Sequence, residues 1–117
     1  MSNNKMIDMS YLISVCGDDA DFKQEMIDTF LRNTPPVLED MKSSLSEKDW
    51  KKIGDLAHKI KPSFTFMGIS KAKDLIVDIE HSGRNNTEIE DIRDKIEQLN
   101  KICIQAFNEL KEELKTH

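Results

Sequence analysis

A chain of 117 residues is long enough to bury one hydrophobic core and too short for two. Charged residues make up 33% of it, hydrophobic residues 38% and aromatics only 6%, with 4 glycines and 3 prolines; that mixture favours an all-helical protein over a β-rich one. The formal net charge of -5 argues against nucleic acid as the main partner, because phosphate binding needs a basic footprint. Cys16 and Cys103 lie far apart without metal-ligand spacing, so they read as packed thiols of a reducing compartment. No signal peptide is legible, and the apolar stretch from Tyr11 to Cys16 is too short to span a membrane. The default expectation is a cytoplasmic protein.

In chain order, Met6, Ile7, Met9, Leu12 and Ile13 predict a brief helix between Met6 and Val15, broken by Gly17-Asp18-Asp19. A helix is then predicted from about Asp19, with Phe22, Met26, Ile27, Phe30 and Leu31 at helical spacing. Asn33-Thr34-Pro35 should end it, with Thr34 as N-cap and Pro35 as first-turn proline of a separate helix carrying Val37, Leu38, Met41 and Leu45. Ser46 to Asp49 form the next connection, and either residue can cap the following helix, whose inward positions are Trp50, Ile53, Leu56, Ala57, Ile60 and Phe64. Gly68 fits a left-handed C-cap, and Ser70 can cap a helix with Ala72, Leu75, Ile76 and Ile79 inward, stopped by Gly83. Thr87-Glu88-Ile89-Glu90 reads as a capping box for a last helix running toward Lys115, on a stripe from Ile89 through Leu99 to Leu110. Short connections between amphipathic helices favour antiparallel neighbours. The predicted fold is all-α: an antiparallel up-down-up-down four-helix bundle with a short N-terminal cap helix.

His58 stands out. At about 100° per residue it lies roughly 150° from the apolar centre of its helix, with Lys51, Gly54, Lys61, Pro62 and Thr65 near it on the outward surface. Gly54 sits one turn before it, where a side chain would crowd the ring. Lys51, Lys52, Lys59 and Lys61 make the helix basic, with Asp55 the exception, and such cations would stabilise a phosphate on the imidazole. Pro62 is an anomaly, since it cannot donate to the His58 carbonyl and a mid-helix proline costs about 3 kcal/mol. Pattern alone leaves two readings open, a neutral bend or a kink that presents His58.

The run Ala57-His58-Lys59-Ile60-Lys61, with Gly68 ten residues after the histidine and a helix ending near Ile79-Glu80, resembles the histidine-containing phosphotransfer (Hpt) domain of bacterial phosphorelays. The aspartate-rich turn before Phe22, the pair Phe30-Leu31 and Pro35-Pro36 extend the resemblance over about Met6 to Leu114, so the whole of 1–117 is expected to be one such domain. The resemblance implies a four-helix-bundle carrier whose histidine, here His58, shuttles a phosphoryl group between aspartates of response-regulator receiver domains. It implies that Lys61 neutralises phosphate charge, with Lys59 a weaker candidate, and that Gly68 is the turn glycine. Gly54, Pro62 and Thr65 would contribute to a docking surface. Pro62 departs from the family pattern, which has glycine there, and Lys59 adds bulk where small polar residues are common. No cofactor is expected on this chain, and Mg2+ would sit on the receiver. Expected partners are receiver domains and a hybrid histidine kinase, with neither nucleic acid nor membrane, and the chain is expected to be a monomer. Its initiating methionine suggests a free-standing protein, and with no Gly-rich nucleotide loop no ATP site is expected.

Three other readings compete. His81 faces outward but lacks a lysine at the matching distance, and His117 is terminal. Asp55-x-x-His58 and Asp78-x-x-His81 mimic the spacing of carboxylate-bridged metal bundles, yet both pairs point away from the predicted core. A helical adaptor, or a degenerate domain that binds a receiver without relaying phosphate, is the more serious rival.

Overall fold

In the computed structural model, which describes residues 5–115, the chain is helical with no strand among those residues. The helices are α1 (Ser10–Cys16), α2 (Ala20–Ser46), α3 (Trp50–Phe66), α4 (Ser70–Asn85) and α5 (Ile92–Lys115), with a single 3-10 turn at Ile89–Asp91. Helices α2 to α5 form a ring in which α3 packs on α2 and α4, and α5 closes it against α4 and α2; α1 rests on α2. This is the expected bundle with its N-terminal cap helix. At 1.5 Å per residue a 27-residue α2 is about 40 Å long, which accounts for the molecule's longest dimension of 44 Å.

The core is built from the predicted stripes. Ile53, Ala57, Ile60 and Phe64 of α3 face Ile76 and Ile79 of α4 and Ile96, Leu99, Cys103, Ala106 and Leu110 of α5, all buried. Phe30 of α2 meets Phe64 edge-on at 5.2 Å and Phe107 at 5.9 Å, arrangements favoured by the ring quadrupole. Burial pushes the Cys103 thiol up to about 12, so it behaves as an apolar filler. Cys16 is buried as well.

The ends of several helices differ from the sequence reading. The predicted break at Asn33-Thr34-Pro35 is absent, and α2 runs unbroken through both Pro35 and Pro36. Thr34 is buried inside it rather than capping a new helix. Each proline removes one backbone donor, but Phe30, Thr34, Val37, Leu38 and Met41 form one continuous buried face, and that burial overrides the local preference. Asp19 caps α2 by accepting from the Phe22 N–H at 2.9 Å, although the Phe22 ring itself is exposed. Of the two candidate caps for α3, Asp49 acts, accepting from the Lys52 N–H at 3.2 Å, while Ser46 is the last residue of α2. Ser70 is the first residue of α4, not its cap; the cap position is Ile69, which makes no side-chain capping bond. Gly83 does not stop α4, which continues to Asn85 and ends on Asn86 in the left-handed conformation. The predicted capping box does not form, because Glu88 is itself left-handed and leads into the 3-10 turn.

At the N-terminus, only Ser10 to Cys16 is helical, and Ile13 is exposed. Met6 and Ile7 instead form a strap whose N–H groups donate to the Glu109 carboxylate of α5, at 2.9 and 3.1 Å to its Oε1. The strap passes over Gly68, whose φ is +67° and where a Cβ would lie 2.8 Å from the Asp8 carbonyl carbon. Only glycine meets both demands. No helix among the described residues is long and apolar enough to cross a membrane.

Candidate functional site

His58 lies on the outer face of α3 with 56% of its side chain exposed. It stands out from the core because Ala57 and Ile60 on either side turn inward and are buried. Across the α3–α4 interface, Glu80 brings its carboxylate to the ring, and His58 Nδ1 is 2.8 Å from Glu80 Oε2. Lys61, one turn along α3, donates to Glu80 Oε1 at 2.9 Å. The Lys61 hydrogen bond holds the Glu80 carboxyl below the usual glutamate range; burial opposes this and the His58 hydrogen bond adds to it. Only 14% of the Glu80 side chain is exposed.

That geometry decides the chemistry of the ring. An ionised carboxylate only accepts hydrogen bonds, so in the His58–Glu80 contact the proton is assigned to Nδ1. In the neutral imidazole the other nitrogen, Nε2, then carries a free lone pair. An imidazole so held, fixed in one tautomer by a carboxylate and with Lys61 one turn away on the same carboxylate, can act as a nucleophile through Nε2.

Other predicted site residues divide into two groups. Pro62 and Thr65 are exposed on α3 and, with Lys61, line a shallow groove of about 740 Å³ completed by Tyr11, Met26, Ser63, Phe66, Lys73 and Val77. Lys59 is exposed but lines a different groove, between α3 and α2, with Met26, Asn33 and Ser63. Gly54, expected on the outward surface, is buried instead. A Cβ on it would lie 2.8 Å from Arg84 Cγ and 2.9 Å from Arg84 N, so its role is the close crossing of α3 and α4. The helical wheel misplaced it because α4 covers that flank of α3.

Sequence reasoning missed Glu80, Arg84 and the part played by Asp55. Arg84 Nη1 donates to Glu80 Oε2 at 3.1 Å, and its Nε donates to Asp55 Oδ1 at 3.1 Å. The favourable i,i+4 spacing of Glu80 and Arg84 is the one signal that could have drawn attention to them. Asp55 is also paired with Lys51 at 3.2 Å and Asp78 with Lys95 at 3.4 Å, and among the described residues no group of three or more His, Cys, Asp or Glu is placed to hold a metal ion. His81 is engaged by Asn85, whose Nδ2 lies 3.1 Å from Nδ1. His117 is outside the described residues.

Against known families, the model of the Hpt domain matches residues 25–115. This chain belongs to the Hpt family. As an Hpt domain it serves as a histidine phosphotransfer relay in two-component signalling. Among solved structures, it is similar to histidine-containing phosphotransfer protein B of Pseudomonas aeruginosa PAO1, at a TM-score of 0.89 and 22% identity over 99% of both chains. It is also similar to the Hpt domain of a sensor hybrid histidine kinase from Shewanella, at a TM-score of 0.82 and 18% identity over 96% of both chains. At these identities the likeness concerns the fold. No curated protein sequence matches significantly.

Proposed function

We propose that His58 is the phosphoacceptor of this Hpt domain, exchanging its phosphoryl group with aspartates of response-regulator receiver domains. The observation that carries the reading is the His58–Glu80 hydrogen bond of 2.8 Å, which in the neutral imidazole puts the proton on Nδ1 and the lone pair on Nε2, on a ring more than half exposed. In the forward step the Nε2 lone pair attacks the phosphorus of an aspartyl phosphate, and the bond from phosphorus to the aspartate oxygen breaks. The aspartate departs as a carboxylate and the Nδ1 proton stays on Glu80's side of the ring. Phosphoryl transfer of this kind depends mainly on positioning and charge neutralisation. The imidazolium-like charge that develops on the ring is stabilised by Glu80. Lys61 is 33% exposed and on a flexible stem, so it can leave Glu80 Oε1 to meet the new phosphate; Lys59 is more remote and contributes less.

The shallow groove lined by Tyr11, Met26, Pro62, Thr65 and Phe66 begins one turn along α3 from His58 and suits the apolar face of a docking receiver. Mg2+ needed for the aspartyl chemistry belongs to that receiver. In this reading the chain acts as one cytoplasmic, monomeric domain over about residues 6–114, without ATP chemistry of its own, and takes part in relays begun by a hybrid histidine kinase.

Phosphotransfer from a labelled receiver to the wild type, His58→Gln and His81→Gln tests this. Acid-labile, base-stable label that disappears only with His58→Gln is expected. Receiver binding without label would make the chain a docking or sequestering module instead.

A further inference from the structure

Arg84 joins two carboxylates that belong to different helices. Its Nη1 donates to Glu80 Oε2 at 3.1 Å, while Nε and Nη2 both lie 3.1 Å from Asp55 Oδ1. Asp55 is anchored on its own helix by Lys51 at 3.2 Å. The arginine stem crosses α3 where Gly54 leaves room, since a Cβ there would come within 2.8 Å of Arg84 Cγ. The notch and the clamp are therefore parts of one arrangement: a glycine on α3 admits an arginine from α4, which returns to α3 to find its second partner.

What this does for the site follows from which oxygen is held. Glu80 Oε2 is the atom that faces His58 Nδ1, and a carboxylate oxygen has room for two donors. Lys61 holds only the other oxygen, Oε1, through a flexible stem with a point charge. A guanidinium is planar and permanently charged, and it fixes its partners in a defined plane. Without Arg84 the Glu80 carboxylate can swing about the Lys61 contact, and His58 loses the fixed acceptor that selects its tautomer.

We infer that Arg84 is a positioning residue for His58: clamping Glu80 Oε2 to Asp55 across the α3–α4 crossing, it holds the imidazole with its proton on Nδ1 and Nε2 unprotonated. The consequence for transfer rate rests on the reading of His58 as phosphoacceptor. The tautomer itself is a property of the resting protein and is measured without any receiver.

The experiment compares the full chain with Arg84→Met and Arg84→Lys, using 15N shifts of the His58 ring nitrogens read on the alkaline plateau, where they no longer change with pH. Thermal unfolding of each variant is recorded alongside. In Arg84→Met the Nδ1-protonated fraction should fall toward that of an unconstrained histidine side chain, and Arg84→Lys should restore part of it. At saturating labelled receiver, transfer to Arg84→Met should slow about tenfold with receiver affinity unchanged, within the ~10²-fold range that misplacement of reacting groups brings. A folded Arg84→Met with the wild-type tautomer ratio overturns the inference, whatever its transfer rate. If Arg84→Met does not fold, Asp55→Asn opens the other end of the clamp and is judged by the same ratio. A wild type that takes no label while the tautomer shifts as described would overturn the phosphoacceptor reading and leave Arg84's role standing.

Discussion

Replacing Gly83 by alanine sets two physical effects against each other with opposite signs. Intrinsic propensity favours alanine over glycine inside a helix by about 1 kcal/mol, so a chain read from sequence alone would gain stability. In the folded protein a Cβ at Gly83 would lie 2.6 Å from the Trp50 carbonyl oxygen, 2.8 Å from Gly54 N and 3.0 Å from Gly54 Cα. Ordinary carbon contacts begin near 3.5 Å, so α3 and α4 must part by roughly 0.5 to 1 Å at this point. The obstructing atoms are backbone and cannot rotate away. Overpacking of this kind costs about 1–3 kcal/mol, and a rigid obstruction belongs in the upper half of that range. After subtracting the propensity gain, Gly83→Ala should be destabilised by about 1–2 kcal/mol. For a domain of this size that lowers Tm by about 4–10 °C, read by circular dichroism during a thermal scan. A Tm that rises, as the propensity gain alone would make it do, would refute the close crossing of α3 and α4 at Gly83.

The Glu109 carboxylate is held below the usual glutamate range: burial works to raise it, but hydrogen bonds from Gln105 and from the Met6 and Ile7 N–H groups, with Lys5 nearby, outweigh burial. Because the folded value is the lower one, its stabilisation is complete above the ordinary glutamate range and is lost as pH falls through the folded value. Urea unfolding from neutral to acid pH should therefore show Glu109→Gln about 1 kcal/mol less stable near neutrality and less sensitive to acid; an identical pH dependence would remove Glu109 from the strap. Ser44 has a buried hydroxyl with no hydrogen-bond partner among the described residues, so Ser44→Ala should raise stability by about 1 kcal/mol in the same assay, and a loss would show that the hydroxyl is satisfied. Pro62 is exposed and inside α3, where it cannot donate to the His58 carbonyl; Pro62→Ala should stabilise the fold by about 1–3 kcal/mol, and a destabilised variant would mean that the ring itself packs.

Much of the bundle was legible because apolar periodicity is a local record of burial. The stripes of α3, α4 and α5, the start of α2 near Asp19, Asp49 as one of two candidate caps and the left-handed Gly68 all depend on residues within a turn or two of one another. The failures cluster where distant elements decide. Pro35 and Pro36 carry a local stop signal, yet α2 continues because Phe30, Thr34 and Val37 are buried together. Gly83 carries the same kind of signal, but it is small because Trp50 and Gly54 press against it.

The same division holds at the site. By itself the sequence determined that His58 stands on the polar side of an amphipathic helix with Lys61 one turn on, since helical angles follow from spacing alone. Only the tertiary structure decided which residues of α4 face it. Antiparallel packing sets Arg84 against Gly54 and, four residues along each helix, Glu80 against His58. That register is fixed by the glycine crossing and by the interlocking of side chains in the core, both of them contacts between residues about 20 to 30 positions apart, and no periodicity within a single helix encodes it.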